Sequence, residues 1–336
     1  MRYWVVYMLL FFSRCLLADN YALIIGIGNY PPQSGWYNIS SVNDVDILCK
    51  SLPKTFSIKT LVDKQATHKN IILSFNELNN QVHAGDTLFI HFSCHGQQVI
   101  REGNQEPDYL DESLVSYDAE SVRSEIYNGE NHLLDDEFGH YLTLLRKSVG
   151  KGGLIVVTLD ACYSDSMNKG HLAPESDSII YRGVSVIFGS NYVSEDSLNF
   201  ISAHSKERDM YDIEKSDTLS DVVLISACQS NQKNMELKIK GKGYGSLSYS
   251  VFQTFADKVN FNNITLWIDK VLGYMSENVY TQNPQLRTSL DYNVKHTPLP
   301  IKGNNQSNKS DKIPVFVIIF IFIAIIMSLI IWKKRK

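Results

Sequence analysis

Apolar residues in this chain follow two alternating rhythms between residue 20 and about residue 298. Short, nearly unbroken apolar runs predict buried strands over 21–28, 58–62, 86–93, 154–159 and 222–226. Other stretches carry apolar side chains three and four apart, which predicts helices over 43–52, 67–82, 135–149, 249–259 and 265–280. Pro53 stops the first helix, and Thr67 offers a hydroxyl cap to the second. Strands separated by helices imply an α/β fold: a three-layer sandwich with a mostly parallel central sheet and helices on both faces. Two long interruptions break the rhythm, a polar and acidic one over 97–134 and a weakly periodic one over 164–220. Loops of that length in a compact domain are commonly functional or processed. No internal repeat is visible.

The two ends depart from this pattern. Arg2 precedes the apolar run 3–12, and Leu16-Leu17-Ala18 closes on a small residue before Asp19, the layout of a secretory signal peptide over 1–18. Near the other end, 315–332 contains no charge, and at ~1.5 Å per residue it would span about 27 Å, nearly the hydrocarbon core of a bilayer. Lys333, Lys334, Arg335 and Lys336 follow at once, and such a basic tail stays cytoplasmic. These features predict a single-pass type I membrane protein. It would have a globular body over 19–298 outside the cytoplasm, a polar stalk over 299–314, a transmembrane helix over 315–332 and a cytoplasmic tail over 333–336.

Charge sharpens the picture of the body. The whole chain has 32 basic and 36 acidic residues, a net charge of −4. Without the six cations of the two ends the balance is 26 against 36, or −10. An acidic body suits a basic substrate or a divalent cation and carries no electrostatic footprint for nucleic acid. Five scattered cysteines (Cys15, Cys49, Cys94, Cys162 and Cys228), with no C-x-x-C pair, exclude a disulfide framework or a cysteine zinc site. Gly26-x-Gly28 lacks the third glycine of a dinucleotide fingerprint and reads as a tight turn at a strand end. His91, inside a strand, reads as a packed histidine, and Cys49 and Cys228 as core thiols. Asn38 and Asn263 each begin an N-x-S/T sequon.

Reactive groups in an open α/β sheet gather beyond the carboxyl ends of its strands. One predicted strand runs into Ser93-Cys94-His95-Gly96, and another into Asp160-Ala161-Cys162-Tyr163-Ser164. A histidine and a cysteine at such positions can form a nucleophile–base pair, with the thiolate attacking and the imidazole taking its proton. Gly96, just after the histidine, leaves its N–H open toward a developing oxyanion. Singly, Cys162 reads as a buried thiol and His95 as a satisfied histidine; their matched placement is what points to catalysis.

The same residues carry a family resemblance. Phe92-Ser93-Cys94-His95-Gly96 resembles the strand-end F/Y-S-G-H-G of the metacaspase-like branch of the caspase-type cysteine peptidases. Asp160-Ala161-Cys162-Tyr163-Ser164 resembles that branch's D-S/C-C-H-S-G. Asn43-Asp44-Val45, Asp108 to Val115, Leu134 to Glu137, Leu224 to Gln229 and Tyr244-Gly245-Ser246 match in order, so the likeness covers 21–285. It implies a cysteine endopeptidase acting on protein or peptide substrates, with Cys162 as nucleophile and His95 as general base, then acid. Asp44 and Asp160, assisted by Ser93, would line the pocket for the residue before the cut, and two carboxylates there favour Arg or Lys. The resemblance also implies calcium, held by Asp111, Asp135 and Asp136, although the family's further acidic ligand past the nucleophile has no evident counterpart. Cys94 replaces the usual glycine before the histidine, and Tyr163 the usual histidine after the nucleophile. Two alternatives stay open: an inactive caspase-fold scaffold or binding protein, and a legumain-like peptidase or transamidase. Basic residues in 164–220, namely Lys169, Arg182, Lys206, Arg208 and Lys215, make self-cleavage there a corollary of Arg/Lys specificity.

Overall fold

The computed structural model describes residues 18–100, 110–162, 180–183, 187–190, 213–229, 232–279 and 281–292. Its first half runs β1 (Asn20–Gly26), α1 (Ser41–Ser51), β2 (Phe56–Val62), α2 (His68–Gln81), β3 (Thr87–Ser93), β4 (Gly96–Ile100), β5 (Leu110–Val115) and β6 (His132–Leu134). The second half runs α3 (Asp135–Val149), β7 (Leu154–Asp160), β8 (Asp221–Ser226), β9 (Glu236–Ile239), β10 (Lys242–Gly245), α4 (Ser246–Ala256), α5 (Ile264–Asn278) and β11 (Gln285–Thr288). The main sheet has the order β11-β8-β7-β3-β1-β2, parallel throughout except for β11, which pairs antiparallel with β8.

Strand alternation assigns each face of this sheet its own core. Leu23, Ile25, Leu88, Ile90, Ile155 and Val157 pack with Ile71, Phe75, Phe138 and Leu142 of α2 and α3. The intervening Ala22, Ile24, Phe89, Val156 and Val223 pack with Leu48 of α1, Leu247 and Val251 of α4, and Trp267 and Val271 of α5. The expected three-layer sandwich is therefore present. A strand buried on both faces needs no polar alternation, which is why these runs read as continuously apolar in the sequence. Thr67 does cap α2: its hydroxyl accepts from the Asn70 N–H at 3.3 Å.

The polar interruption 97–134 is more ordered than its sequence suggested. It contains β4, β5 and β6, a separate three-stranded antiparallel sheet. Every residue of β5 is buried, including Asp111 and Glu112, so the acidic stretch is partly interior rather than a solvated loop. The β9–β10 hairpin and β11 were also missed, being four-residue strands too short to show a period. Among the described residues no helix is long and apolar enough to cross a membrane. The stalk, the 315–332 span, the basic tail and all but the last residue of 1–18 lie outside the described residues.

The carboxyl ends of three strands meet at one level of the sheet. Gly26 pairs with Ser93, and Ser93 with Asp160. β1 and β3 flank the point where the chain order reverses, the place where open α/β sheets build their sites. Gly26 lets α1 come close there, because a Cβ on it would run into the Val45 side chain and stand 3.0 Å from the Ser41 carbonyl. That approach puts Asp44, in the first turn of α1, over the end of β3.

Candidate active site

His95 sits between the end of β3 and the start of β4 and is fully buried. Its ring stacks on Trp36 at a centroid distance of 5.1 Å, meets Tyr37 edge-on at 4.6 Å and lies 5.3 Å from Tyr30. Nε2 is 2.8 Å from the Tyr37 carbonyl oxygen. A carbonyl can only accept, so Nε2 carries the proton and Nδ1 keeps its lone pair. Nδ1 is buried with no hydrogen-bond partner among the described residues. Burial pushes the imidazole down to about 4 against the smaller upward pull of the Tyr37 carbonyl, so the ring is neutral at physiological pH.

Cys162 lies two residues beyond the end of β7, 2% exposed, with its thiol donating to the Gln232 carbonyl at 2.8 Å. The backbone ties it to the histidine loop through a third segment. The Cys162 N–H donates to the Arg182 carbonyl at 2.8 Å, and the Gly96 N–H reaches the same oxygen at 3.4 Å. Thus the N–H groups of the residue after His95 and of Cys162 itself converge on one carbonyl oxygen, as an oxyanion hole requires.

Asp44, Ser93 and Asp160 are brought together as the sequence suggested, and all three are fully buried. What the sequence did not suggest is that a cation from the same chain lies among them. Arg182 Nη2 donates to Asp44 at 2.7 Å and to Glu236 at 3.0 Å, and Nη1 donates to the Ser93 hydroxyl at 2.6 Å. The Ser93 hydroxyl in turn donates to Asp44 at 2.8 Å. Asp160 stands 3.8 Å from Nη1, and its own oxygens accept from Asn234 at 2.7 Å and from the Ser248 N–H and hydroxyl at 2.7 and 2.6 Å. Gly245 leaves room for this arrangement, since a Cβ there would run into the Asp160 carboxylate and the Arg182 guanidinium.

Three carboxylates share one guanidinium, and the proton affinities follow from that. Burial opposes the charge on Arg182, but Asp44, Asp160 and Glu236 outweigh it and hold the guanidinium firmly protonated. Burial pushes Asp160 up, yet Arg182 and the donors on Asn234 and Ser248 bring it below the usual carboxylate range. Asp44 is the acid left over: burial and the nearby Asp160 hold it up at about 6 even with Arg182 beside it.

The chain around Arg182 lies as an added strand. Its N–H donates to the Asn234 carbonyl at 2.8 Å, and the Ile180 carbonyl accepts from the Glu236 N–H at 2.8 Å. Tyr181 bridges Met235 antiparallel, while Gly183 bridges Gly96 in parallel. The Tyr37 hydroxyl reaches the carbonyls of Tyr181 and Gly183 at 2.5 and 3.1 Å. The aromatic residues around His95, together with Glu236 and Asn234, had no local signature in the sequence; ring contacts with His95 identify the first, and the acid cluster around Arg182 the others.

The other sequence readings divide. His91 is a packed residue, bonded to Thr158 at 2.7 Å and to Ser248 at 3.2 Å. Cys228 is buried, its thiol 3.4 Å from the Gln232 carbonyl, while Cys49 is only half-buried. Cys94 joins the core on the α2–α3 side, and burial pushes its thiol up to about 12, so it is a neutral packing group. Of the residues on which the resemblance implies calcium, Asp111 is buried in β5, Asp135 is half-buried at the start of α3, and Asp136 beside it is exposed. Among the described residues no three His, Cys, Asp or Glu side chains converge closely enough to hold a metal ion. Asp135 is nevertheless pushed up to about 8 by burial and then by Glu112, Asp111 and Asp136.

Comparison with known proteins bears on the fold and the family. The model of the caspase domain family matches residues 19–294. Metacaspase-1A of Aspergillus niger is 24% identical over 306 residues, covering 83% of this chain and 72% of that protein. Metacaspase-1 of Emericella nidulans is 24% identical over 313 residues, covering 84% of this chain and 74% of that protein. Among solved structures, protein GSU0716 from Geobacter sulfurreducens matches with a TM-score of 0.54 at 21% identity, over 80% of this chain and 93% of that one, a likeness of fold.

Proposed function

The chain belongs to the caspase domain family as a metacaspase-like member, and from that premise we propose a cysteine endopeptidase that cuts proteins after Arg or Lys, with Cys162 as nucleophile and His95 as base. The observation that carries this reading is the seat of Arg182: guanidinium on Asp44, Ser93 and Glu236, carbonyl on the Cys162 and Gly96 N–H groups.

The chemistry follows from the atoms. His95 Nδ1, left basic because Nε2–H is committed to Tyr37, takes the thiol proton of Cys162. The thiolate adds to the carbonyl carbon of the basic residue. The oxyanion so formed lies on the two backbone N–H groups, each worth ~10²–10³ in rate in comparable sites. Collapse breaks the C–N bond, His95 returns its proton to the leaving amine, and a thioester remains. Water then attacks the thioester with His95 again as base, releasing the carboxylate and the thiol. Arg gains more from the pocket than Lys, because its planar fork can engage Asp44, Glu236 and Ser93 together.

Acylating peptide probes ending in Arg, Lys, Asn and Asp test this reading. We expect labelling by Arg and Lys probes on Cys162, and loss of turnover by several orders of magnitude in Cys162→Ala with a nearly unchanged melting temperature and in His95→Ala with a lowered one, since the His95 ring is packed among Tyr30, Trp36 and Tyr37. Labelling by the Asn or Asp probe in preference would move the protein to the legumain-like or aspartate-directed reading. Substantial turnover in Cys162→Ala would remove the dyad.

The proposal extends to location on the strength of the sequence alone: a body outside the cytoplasm, held by the 315–332 segment. Protease added to intact cells should digest the body and leave an epitope appended after Lys336 protected. Digestion of that epitope with the body spared would reverse the orientation.

A further inference from the structure

We propose that Tyr37 is a substrate-positioning residue: its hydroxyl donates to the main-chain carbonyls on either side of the basic residue, so the cleft grips the backbone both before and after the cut. This rests on the peptidase reading above.

Residues 181–183 mark where a substrate main chain lies, because the Arg182 side chain fills the acidic pocket and its carbonyl oxygen rests on the Cys162 and Gly96 N–H groups at 2.8 and 3.4 Å. The carbonyls of Tyr181 and Gly183 thus stand in for those of the residues just before and just after the basic one. The Tyr37 hydroxyl meets the first at 2.5 Å and the second at 3.1 Å. Successive carbonyls of an extended chain point to opposite sides. The two flanking carbonyls therefore face one way and the reacting carbonyl the other. A single donor on the far side holds both without competing for the oxyanion seat. One hydroxyl reaches both only if the chain bows toward it, since two residues of straight strand advance about 6.6 Å, more than its two contacts together span.

Tyr37 is fixed on its other side by the base. Its carbonyl accepts from His95 Nε2 at 2.8 Å, and its ring meets the imidazole edge-on at 4.6 Å. One residue therefore spans from base to substrate, and a rigid aromatic ring sets the separation of His95 from the bond to be cut. Burial, then the neighbouring Cys162 and Glu236, push the phenol up from its ordinary value, which keeps it protonated and a donor throughout the working range. Its one proton is shared between the two carbonyls, and the shorter contact takes the larger part.

The hydroxyl transfers no proton and forms no covalent bond; it holds the reacting carbonyl carbon against Cys162 Sγ, where orientation lowers the barrier. A leaving group without a carbonyl, such as an alkylamine, uses only half of this grip. The substrate class that gains most is thus an internal peptide bond with residues on both sides, rather than a terminal amide or an ester.

Three substrates measured on the full chain and on Tyr37→Phe test this. The parent is an acyl-Tyr-Arg-glycinamide; its ethylamide analogue lacks the carbonyl after the cut, and a trans-alkene in place of the Tyr–Arg amide removes the carbonyl before it. Tyr37→Phe keeps the ring on His95 and the main-chain carbonyl, so only the hydroxyl is lost. The ratio of kcat/KM between two substrates of one enzyme cancels the fraction of clefts that residues 181–183 leave open. It also cancels any general loss of activity, so a merely structural role would not move it. We expect the preference of the wild type for the parent to shrink in Tyr37→Phe, by about fivefold against the alkene and about threefold against the ethylamide, with the pH profile of kcat/KM unmoved. Identical ratios in the two enzymes, a loss on one side only, or a shifted pH profile would each overturn the inference and leave the peptidase standing. Failure of both wild type and Tyr37→Phe to cut any Arg or Lys substrate would instead overturn the peptidase reading itself.

Discussion

Among the described residues, two groups of acids, one buried and one only partly so, have opposite fates. Asp44, Asp160 and Glu236 surround a guanidinium and receive N–H and O–H donors from Ser93, Asn234, Gly245 and Ser248. Asp160 there lies below the usual carboxylate range in spite of complete burial. Asp135, at the start of α3, has Glu112, Asp111 and Asp136 for charged neighbours and is pushed up to about 8. Burial raises both carboxyls; the difference is a cation and aimed donors against more acids. An acidic cluster in the sequence therefore says nothing about its charge until the groups facing it are known.

The sharpest way to break this contrast is to neutralise one side of the cation pocket. Asp44→Asn, which removes the carboxylate that accepts directly from the guanidinium, should raise KM and lower kcat/KM for Arg reporters by ~2–5 kcal/mol, or roughly 30- to 5,000-fold. Asp160→Asn should be milder, because Asp160 stands 3.8 Å from the cation while Asp44 and Glu236 keep their direct contacts. Equal kcat/KM in both variants and the wild type would show that the pocket does not bind the substrate's charge.

A smaller effect is expected at the other cluster, and its sign is opposite. The folded-state affinity of Asp135 for its proton lies above the unfolded one, so folding takes up a proton between about pH 4 and pH 8. The stability it contributes is complete below the unfolded value and is lost as the pH rises through about 8. Asp135→Asn should flatten that decline, raising the melting temperature most at pH 8 and above. A variant that melts in parallel with the wild type across this range would show Asp135 to be an ordinary carboxylate. Calcium titration against the melting temperature tests the ion that the family resemblance implies for this cluster; no shift up to millimolar calcium would leave Asp135 uncompensated. A calcium-dependent rise absent from Asp135→Asn would turn this cluster into a cation site after all, so that both would be charge-compensated.

Much of the framework can be read from one dimension. The five parallel strands, the five helices and the positions of His95 and Cys162 at strand ends follow from periodicity, because a strand covered on both faces must be apolar along its length and reactive groups lie where it ends. Asp44 and Asp160 could also be found, each lying within a few residues of an element boundary. The sheet of β4, β5 and β6 could not: its strands are short and β5 carries two buried acids, so neither length nor polarity marked them. Nor could Glu236, Asn234 and Tyr37, which reach the site from hairpin and loop positions far along the chain. Arg182 shows the division most plainly. The sequence marked it as one of five cations in a long interruption, each equal to the others. Only the folded chain distinguishes it, because the energy of a buried guanidinium depends on three carboxylates whose separation in space no local pattern encodes.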